Sequence, residues 1–147
     1  MTVDIGADIV VSTDPPRFDL DAIHGYLEKS YWAAGIPRNL VARAMEQSLC
    51  FGAFDGSRQV GFARVISDRA TFAYVSDVFV VESHRGRGVG KQLMAAIMAH
   101  PDLQGLRRWA LFTRDAHGLY RQYGFREPRY PERLMEVFND NPYGGVR

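Results

Sequence analysis

This sequence has a single cysteine, no excess of one charge and no long apolar run. With Cys50 as its one cysteine, the chain can build neither a disulfide framework nor a cysteine metal site. Lys and Arg number 18 and Asp and Glu number 17, so no net charge draws the chain toward nucleic acid or an anionic membrane. No apolar run reaches the roughly 18 residues of a membrane-spanning helix. We therefore expect no nucleic-acid, membrane or metal partner, and any anion site must be local.

The lone cysteine and the N-terminal residues both bear on the compartment. Cys50 lies in an apolar stretch, which suits a reducing environment. The segment 1–8 carries acidic residues and no basic region followed by an apolar core, so it is unlike a secretory leader. We expect a cytoplasmic protein. Its 147 residues, 46% hydrophobic and 24% charged, are typical of one globular domain covering 1–147.

Hydrophobic periodicity and turn residues predict an α/β chain with the order β-αα-βββ-α-β-α-β. The expected elements are a strand at 8–13, helices at 20–31 and 37–48, strands at 49–54, 59–66 and 71–81, a helix from 89 that stops before 101, a strand at 109–113, a helix at 116–123 and a last strand at 134–138. This order implies a mixed sheet that is antiparallel in its first half, with helices on both faces.

A glycine-rich turn between the third strand of the run and the next helix favours an anion site. Its residues are Arg85, Gly86, Arg87, Gly88, Val89, Gly90 and Lys91. A helix N-terminus offers unpaired N–H groups and partial positive charge, and glycine lets a ligand approach the backbone closely. Cations in a first helical turn cost about 0.3–1 kcal/mol each, so they fit better with a bound pyrophosphate. A solvated basic turn remains the alternative.

Two other phosphate motifs fail at this turn. A P-loop needs glycine at position 85 and Ser or Thr after Lys91, whereas the sequence has Arg85 and Gln92. The dinucleotide fingerprint needs two residues between its second and third glycines, whereas only Val89 separates Gly88 from Gly90. Neither a P-loop enzyme nor a dinucleotide-binding domain is therefore expected.

The turn and a second motif resemble the GCN5-related N-acetyltransferase (GNAT) superfamily. The family loop Q/R-x-x-G-x-G/A is matched by Arg85, Gly88 and Gly90, and its Leu-Tyr-x-x-x-Gly-Phe pattern by residues 119–125. The stretches 30–33, 59–64 and 115–120 are similar to small bacterial acetyltransferases of this superfamily. The resemblance implies the acyl-CoA N-acyltransferase fold, acetyl-CoA as co-substrate and an amine acceptor.

The same resemblance implies where the cofactor binds. The arm of acetyl-CoA would enter between two splayed strands and pair with the backbone at Val78, Phe79 and Val80, where one N–H would polarise the thioester carbonyl. Thr113 stands where many members carry a cofactor-binding Asn, and is included among the cofactor residues. The amine would attack the thioester directly in a ternary complex, so no cysteine nucleophile is required.

Two residues are the candidates for proton transfer. Tyr120 matches the family position whose hydroxyl protonates the departing thiolate, with a core aromatic as the alternative. Asp77 interrupts an apolar strand and could accept the proton of the amine, with a strand residue on a solvated face as the alternative. Glu46 and His117 are weaker candidates for this base.

The break between the first two helices predicts an acceptor pocket. Tyr31, Trp32 and Arg38 could line it, or could serve core or surface packing instead. A non-catalytic acyl-CoA sensor with the same fold is the main alternative function, but Tyr120 argues against it. A nucleic-acid or protein-binding module should show a basic stripe, which near-zero net charge does not favour. A homodimer is left open as the oligomeric state.

Overall fold

Five strands form a mixed sheet in the computed structural model, which describes residues 8–144. The elements are β1 Ile9–Ser12, α1 Leu20–Leu27, α2 Arg38–Glu46, β2 Leu49–Asp55, β3 Arg58–Ser67, β4 Phe72–Val80, α3 Val89–Ala99, β5 Arg108–Leu111 and α4 His117–Arg121. The N-terminal residues 1–7 and the C-terminal residues 145–147 lie outside the described part. The expected lack of a leader and the outer ends of the expected domain fall there.

The strands lie in the order in which they occur along the chain. β1, β2, β3 and β4 pair antiparallel, and β5 joins β4 in parallel. Gly56, at φ 61°, supplies the positive φ for the tight turn between β2 and β3. The predicted mixed α/β sheet, antiparallel in its first half, is confirmed.

Helices cover both faces of the sheet because the strands bury alternate side chains on opposite sides. On one face α3 contributes its apolar stripe, and the cluster includes Phe51, Ala63, Val65, Ala73, Val75, Leu93, Met94 and Ile97. On the other face α1 and α2 pack against the strands through Ile23, Leu27, Val41, Cys50, Phe62 and Phe79. The predicted placement of helices on both faces is confirmed.

The first predicted helix is shorter than its periodicity indicates. Asp19 caps its start by accepting the N–H of Ala22 at 3.0 Å. The helix ends at Leu27, whose carbonyl accepts the hydroxyl of Ser30 at 2.7 Å. The hydroxyl oxygen of Ser30 also accepts the N–H of Ala33, so a turn replaces the last predicted helical turn. Residues 28–36 therefore form a loop beside the sheet.

The predicted last strand at 134–138 is wrong. These residues belong to no strand and have no strand partner among the described residues. Their apolar pattern favours a strand, yet the side chains of Leu134, Met135, Val137 and Phe138 are exposed. A strand exists only where a neighbour pairs with its backbone, which the periodicity of one segment does not report. The observed order is thus β-αα-βββ-α-β-α.

No helix in the described residues has the length and hydrophobicity to cross a membrane. The longest, α3, has 11 residues, well below the roughly 20 residues that span a bilayer. Its Val89, Leu93, Met94 and Ile97 are buried against the sheet.

Candidate active site

A cleft opens where β4 and β5 separate. The two strands pair from Phe72 with Arg108 to Val75 with Leu111, and β4 then continues to Val80 with no neighbouring strand on that side among residues 8–144. The cleft has a volume of about 780 Å³. Its lining comes from α1, the loop after it, the end of β4 and the loop after β5: Ala22, Gly25, Tyr26, Lys29, Ser30, Tyr31, Trp32, Val78, Phe79, Val80, Val81, Arg85, Arg114 and Asp115.

A β-bulge lies in β4 where the cleft begins. Phe62 of β3 pairs with Phe79, but Arg64 pairs with Ser76, so β4 carries one extra residue. Asp77 in this stretch has φ 53°, a left-handed conformation that Asp tolerates better than most residues. Bulges interrupt a ladder and redirect backbone groups. The predicted cofactor residues 78–80 follow this bulge directly.

The carboxylate of Asp77 is held by two donors. Arg64 Nε donates to Oδ2 at 2.8 Å, and Trp32 Nε1 donates to Oδ1 at 2.9 Å. Arg64 also donates to the hydroxyl of Ser48 at 3.0 Å. The Asp77 side chain is only 10% exposed, so it is not the solvated strand residue of the alternative interpretation. A carboxylate has about four lone-pair sites, so these two bonds leave acceptor capacity.

Two tyrosines lie close to this ion pair. Burial first, and then the negative charge of Asp77, raise the pKa of Tyr74 on β4 and of Tyr143 near the C-terminus. Tyr143 is half-buried. The charge of Asp77 thus acts on Tyr143, although Tyr143 follows β5 and α4 in the chain.

The loop after α1 contacts the loop after β5 across the cleft. The guanidinium of Arg114 lies 3.8 Å from the ring centre of Tyr31, and the backbone N–H of Arg114 donates to the Tyr31 hydroxyl at 3.3 Å. Trp32 packs edge-on against Tyr31 with ring centres 5.1 Å apart. The predicted acceptor residues Tyr31 and Trp32 thus form one wall of the cleft.

The glycine-rich turn precedes α3 as expected. Gly86 and Gly88 have φ 76° and 80°, and Gly88 is the N-cap residue of α3. A side chain at either position would meet no atom within 4 Å, so the space beside the turn is open. Arg87 and Lys91 are exposed and make no ion pair with the described residues. The structure thus places free positive charge beside the unpaired N–H groups of a helix start.

Arg85 points away from this turn toward the cleft. Its Nε donates to the carbonyl of Val80 at 3.0 Å, and its Nη2 donates to the hydroxyl of Tyr26 at 2.8 Å. Tyr26 stacks on Phe79 with ring centres 3.9 Å apart. Arg85 therefore joins the end of β4 to α1, unlike Arg87 and Lys91.

Tyr120 lies on α4 and is not part of the cleft lining. It is 8% exposed and packs with the α3-side core, with Phe125 at 6.0 Å between ring centres. Burial, followed by the charges of Tyr31 and Asp115, raises the pKa of Tyr120 to about 12. Tyr31 and Asp115 both line the cleft. The environment therefore keeps the phenol protonated, and does not increase its acidity.

Of the residues predicted for the site, only Tyr31, Trp32, Val78, Phe79, Val80 and Arg85 line the cleft. Asp77, Tyr120 and the turn from Gly86 to Lys91 lie outside the lining, and so do four others. Arg38 is on the outer surface, where its Nε donates to Asp21 at 2.7 Å. The hydroxyl oxygen of Thr113 accepts the N–H of Ala116 at 3.0 Å, just before α4. Glu46 and His117 are exposed at the end of α2 and the start of α4.

The lone cysteine is not activated as a thiolate. Cys50 is buried, and that burial raises the pKa of its thiol to about 11. A thiol of this kind is a poor nucleophile because the thiolate is the reactive form. Within residues 8–144, no three His, Cys, Asp or Glu side chains are grouped as a metal site.

Several residues of the site were not predicted from the sequence. Arg64 carried a readable signal, since one arginine interrupts an apolar strand that pairs with the strand of Asp77. Tyr26 and Asp115 gave no such signal, because their positions depend on how α1 and the loop after β5 pack. The position of Tyr143 depends on the path of the C-terminal segment, which the sequence does not display.

Comparison with known proteins identifies the family. Residues 46–127 match the model of the acetyltransferase (GNAT) domain. A GNAT-family protein of Xanthomonas campestris pv. campestris, described as a candidate acetyltransferase, has a crystal structure that is 56% identical, with a TM-score of 0.90, over 93% of this chain and 97% of that one.

More distant proteins agree with this result. A candidate acetyltransferase of Gibberella zeae is 32% identical over 77% of this chain and 76% of its own length. A Clostridium acetobutylicum protein solved with acetyl-CoA shares the fold, with 13% identity and a TM-score of 0.65 over 88% of this chain and 96% of that one. The loop, the splayed strands and these matches together show that the chain belongs to the GNAT family and is an acetyltransferase, as the motifs predicted.

Proposed function

We propose that this enzyme transfers the acetyl group of acetyl-CoA to a primary amine by direct attack in a ternary complex. The observation that carries the proposal is the cleft between β4 and β5, which opens at the bulge of Asp77 and ends beside the glycine-rich turn. A long cofactor could thus lie with its phosphates at the helix start and its thioester at the bulge.

The pyrophosphate would bind at the turn that precedes α3. Positive φ at Gly86 and Gly88 turns successive N–H groups toward open space, an arrangement that binds anions. Arg87 and Lys91 add charge that no described carboxylate neutralises. Gly90 lies in the first turn of α3, where an added Cβ would be 3.5 Å from Leu119, so the space on that side is limited.

The pantetheine arm would lie along the unpaired part of β4. Val78 and Val80 line the cleft, and no strand covers their edge on the β5 side. An extended arm can pair with such an edge as an additional strand would. At the bulge, one backbone N–H that the ladder does not use would polarise the thioester carbonyl as negative charge develops on its oxygen.

The acceptor amine would approach from the Trp32 side. The nitrogen attacks the carbonyl carbon, the new C–N bond forms, the C–S bond breaks, the amine loses one proton and the thiolate gains one. Asp77 is the proposed acceptor of the amine proton, directly or through water, because it is buried at the bulge and keeps free lone pairs. Glu46 and His117 are exposed, whereas the Asp77 side chain is only 10% exposed.

Tyr120 is the proposed donor to the departing sulfur. A phenol with its pKa near 12 is a weaker acid than a thiol near 8.5, so complete proton transfer between them would be uphill by ~5 kcal/mol. A hydrogen bond to the developing thiolate has no such cost and is stronger than one between neutral groups. We therefore propose that Tyr120 first stabilises the thiolate, and that the proton settles on sulfur as CoA leaves.

The chemistry of the acceptor wall favours a cationic or neutral amine. The rings of Tyr31 and Trp32 lie beside the carboxylates of Asp115 and Asp77, and rings of this kind attract ammonium groups. We propose a cytoplasmic enzyme whose partners are acetyl-CoA and this amine, without nucleic acid or membrane. The buried reduced Cys50 and the net charge of +1 support that proposal.

An acceptor screen tests the function. Release of free CoA from acetyl-CoA would be followed with amino acids, polyamines, arylalkylamines and lysine peptides. We expect release above the rate of spontaneous hydrolysis with at least one class, and an acetylated product by mass spectrometry. Tight binding of acetyl-CoA without transfer to any class would instead favour the non-catalytic sensor.

A further inference from the structure

A buried histidine lies directly before the glycine-rich turn. His84 ends one turn of helix, Glu82–His84, and its side chain is 6% exposed. Its Nε2 lies 2.9 Å from Oδ2 of Asp55, and its Nδ1 lies 2.8 Å from the hydroxyl oxygen of Ser83. An ionised carboxylate can only accept, so Nε2 carries a hydrogen and donates it to Asp55. Both ring nitrogens are therefore hydrogen-bonded.

This histidine connects two segments that are far apart in the chain. Asp55 is the last residue of β2, 29 residues before His84, and the tight turn at Gly56 follows it. Asp55 has a neighbour on each side, Ile9 of β1 and Arg58 of β3, so its backbone belongs to the sheet. The side chain of His84 thus fixes the start of the glycine-rich turn to the sheet.

The other end of the glycine-rich turn is fixed by different contacts. Val89, the first residue of α3, is buried in the core, and the carbonyl of Lys91 accepts the hydroxyl of Tyr123. Between the two ends, Gly86 and Gly88 are exposed, and a side chain added at either would meet no atom within 4 Å. The turn therefore has little packing of its own, so its conformation depends on the contacts that fix its ends.

Packing alone does not explain a histidine at this position. Buried polar nitrogens destabilise a protein unless they are hydrogen-bonded, and an apolar side chain would fill the same space without that requirement. The next residue, Arg85, is bonded to the carbonyl of Val80 and the hydroxyl of Tyr26 on the cleft side. His84 and Arg85 thus attach the same segment in two directions, one to the sheet and one to α1.

We propose that His84 is a positioning residue for acetyl-CoA, which holds the glycine-rich turn, through Asp55 and Ser83, in the conformation that binds the pyrophosphate. The inference rests on the proposed site of the pyrophosphate. A turn whose N–H groups are already arranged for an anion loses less conformational freedom on binding than a mobile one, and so binds more tightly. Acetyl-pantetheine lacks the pyrophosphate and the nucleotide, so its binding should not depend on His84.

The test compares these two ligands in one set of variants. His84→Leu fills the space without either hydrogen bond, whereas His84→Gln keeps an N–H that can reach Asp55. We expect His84→Leu to weaken acetyl-CoA binding roughly 10-fold by calorimetry, and His84→Gln to weaken it less. The affinity for acetyl-pantetheine, measured by NMR titration, should be unchanged in both. Amide relaxation of Gly86 and Gly88 in the ligand-free protein should show greater motion in His84→Leu than in the wild type.

His100→Leu is the matched control. The ring of His100 also makes a hydrogen bond, since its Nδ1 accepts the N–H of Asp102 at 3.1 Å, but His100 follows the opposite end of α3. This variant should bind both ligands as the wild type does. If His84→Leu does not fold, Asp55→Ala removes the same bond at a side chain that is 46% exposed. It should weaken the binding of acetyl-CoA and not that of acetyl-pantetheine.

The binding data can overturn the inference in three ways. Unchanged acetyl-CoA affinity in a folded His84→Leu protein would mean that the turn needs no such support. An equal loss for both ligands would mean that His84 acts on the fold in general. A wild type that binds acetyl-CoA no more tightly than acetyl-pantetheine would contradict the pyrophosphate site itself. Because every readout is binding, the result for His84 is independent of whether the acceptor screen finds an amine.

Discussion

Arg64 and Asp77 form an ion pair across the β-bulge, with Nε and Oδ2 2.8 Å apart and side chains 16% and 10% exposed. The pair connects the bulge to α2, because Arg64 also donates to Ser48, whose hydroxyl donates to the carbonyl of Ala44 at 2.7 Å. Removing one partner of a pair so little exposed lowers the free energy of unfolding strongly, whereas replacing both partners by apolar residues lowers it little. This difference separates the catalytic from the structural contribution of Asp77.

We expect Asp77→Asn, which keeps a residue that tolerates the left-handed backbone, to be destabilising by about 3 kcal/mol because it leaves the Arg64 guanidinium without its charged partner. The double variant Arg64→Leu/Asp77→Asn should regain most of this stability in urea unfolding. If Asp77 accepts the amine proton, both variants should have kcat lowered by roughly 10²-fold or more. A double variant that is stable and fully active would limit Asp77 to a structural function.

One variant at the glycine-rich turn should change the stability of the protein and its affinity for acetyl-CoA in opposite directions. Lys91 is in the first turn of α3, where a cation opposes the helix dipole. Lys91→Glu should therefore stabilise the free protein slightly, by about 0.5–1 kcal/mol. Calorimetry should show acetyl-CoA binding weakened by roughly 10- to 100-fold, the loss of one charge-assisted hydrogen bond and its replacement by repulsion. Arg43→Glu, at an exposed position of α2 on the other face of the sheet, is the control. Equal affinities in the two variants would place the pyrophosphate elsewhere.

Local chain chemistry predicted most of the fold. The Asp55-Gly56 turn and the Gly88 cap each act within a few residues, so the sequence displays them directly. The prediction of a strand at 134–138 is wrong for the opposite reason. Its residue pattern favours a strand, but neighbouring residues do not determine whether another strand pairs with it. The end of α1 was also missed, because Ser30 hydrogen bonds compete with the helix there.

The site was predictable only in part. The glycine-rich turn follows from one contiguous segment, and Asp77 was readable as an acid within an apolar strand. The partners of Asp77 were not readable, since Trp32 and Arg64 are 45 and 13 residues away in the chain. The acidity of Tyr120 depends on burial and on Tyr31, which is on another loop, so its direction of change needed the structure.

Alkaline pH should destabilise the protein through its buried neutral groups. Burial raises the pKa of Cys50 from 9.0 to about 11 and that of Tyr120 from 10.0 to about 12. The folded state thus favours the neutral forms, so their stabilisation is complete below the ordinary pKa values and is lost as pH rises through 11 and 12. Urea midpoints should fall between pH ~9 and ~12. Tyr120→Phe should reduce the slope, whereas Tyr130→Phe, at an exposed position, should not. If the urea midpoint fell with pH equally steeply in Tyr120→Phe and in the wild type, the raised pKa of Tyr120 would be contradicted.

The hydroxyl of Tyr120 is the most specific test of the proposed mechanism. Tyr120→Phe keeps the ring that packs against Phe125 and removes only the donor to the departing sulfur. A hydrogen bond to a developing charge contributes about 1.5–3 kcal/mol, so kcat should fall by roughly 10- to 100-fold with acetyl-CoA affinity nearly unchanged. Tyr123→Phe is the matched control. Tyr123 lies three residues after Tyr120, and its hydroxyl already donates to the carbonyl of Lys91 at 2.9 Å.

Steady-state kinetics and calorimetry on both variants would distinguish three outcomes. A loss of kcat in Tyr120→Phe alone supports a donor to the thiolate. Equal losses in Tyr120→Phe and Tyr123→Phe would mean that both hydroxyls act by holding α4 against α3. No loss in Tyr120→Phe would mean that solvent protonates the sulfur. This requires water to remain in the cleft with both substrates bound, since a thiolate in water needs no buried donor. A solvent isotope effect on kcat that persists in Tyr120→Phe would then identify water as the proton source.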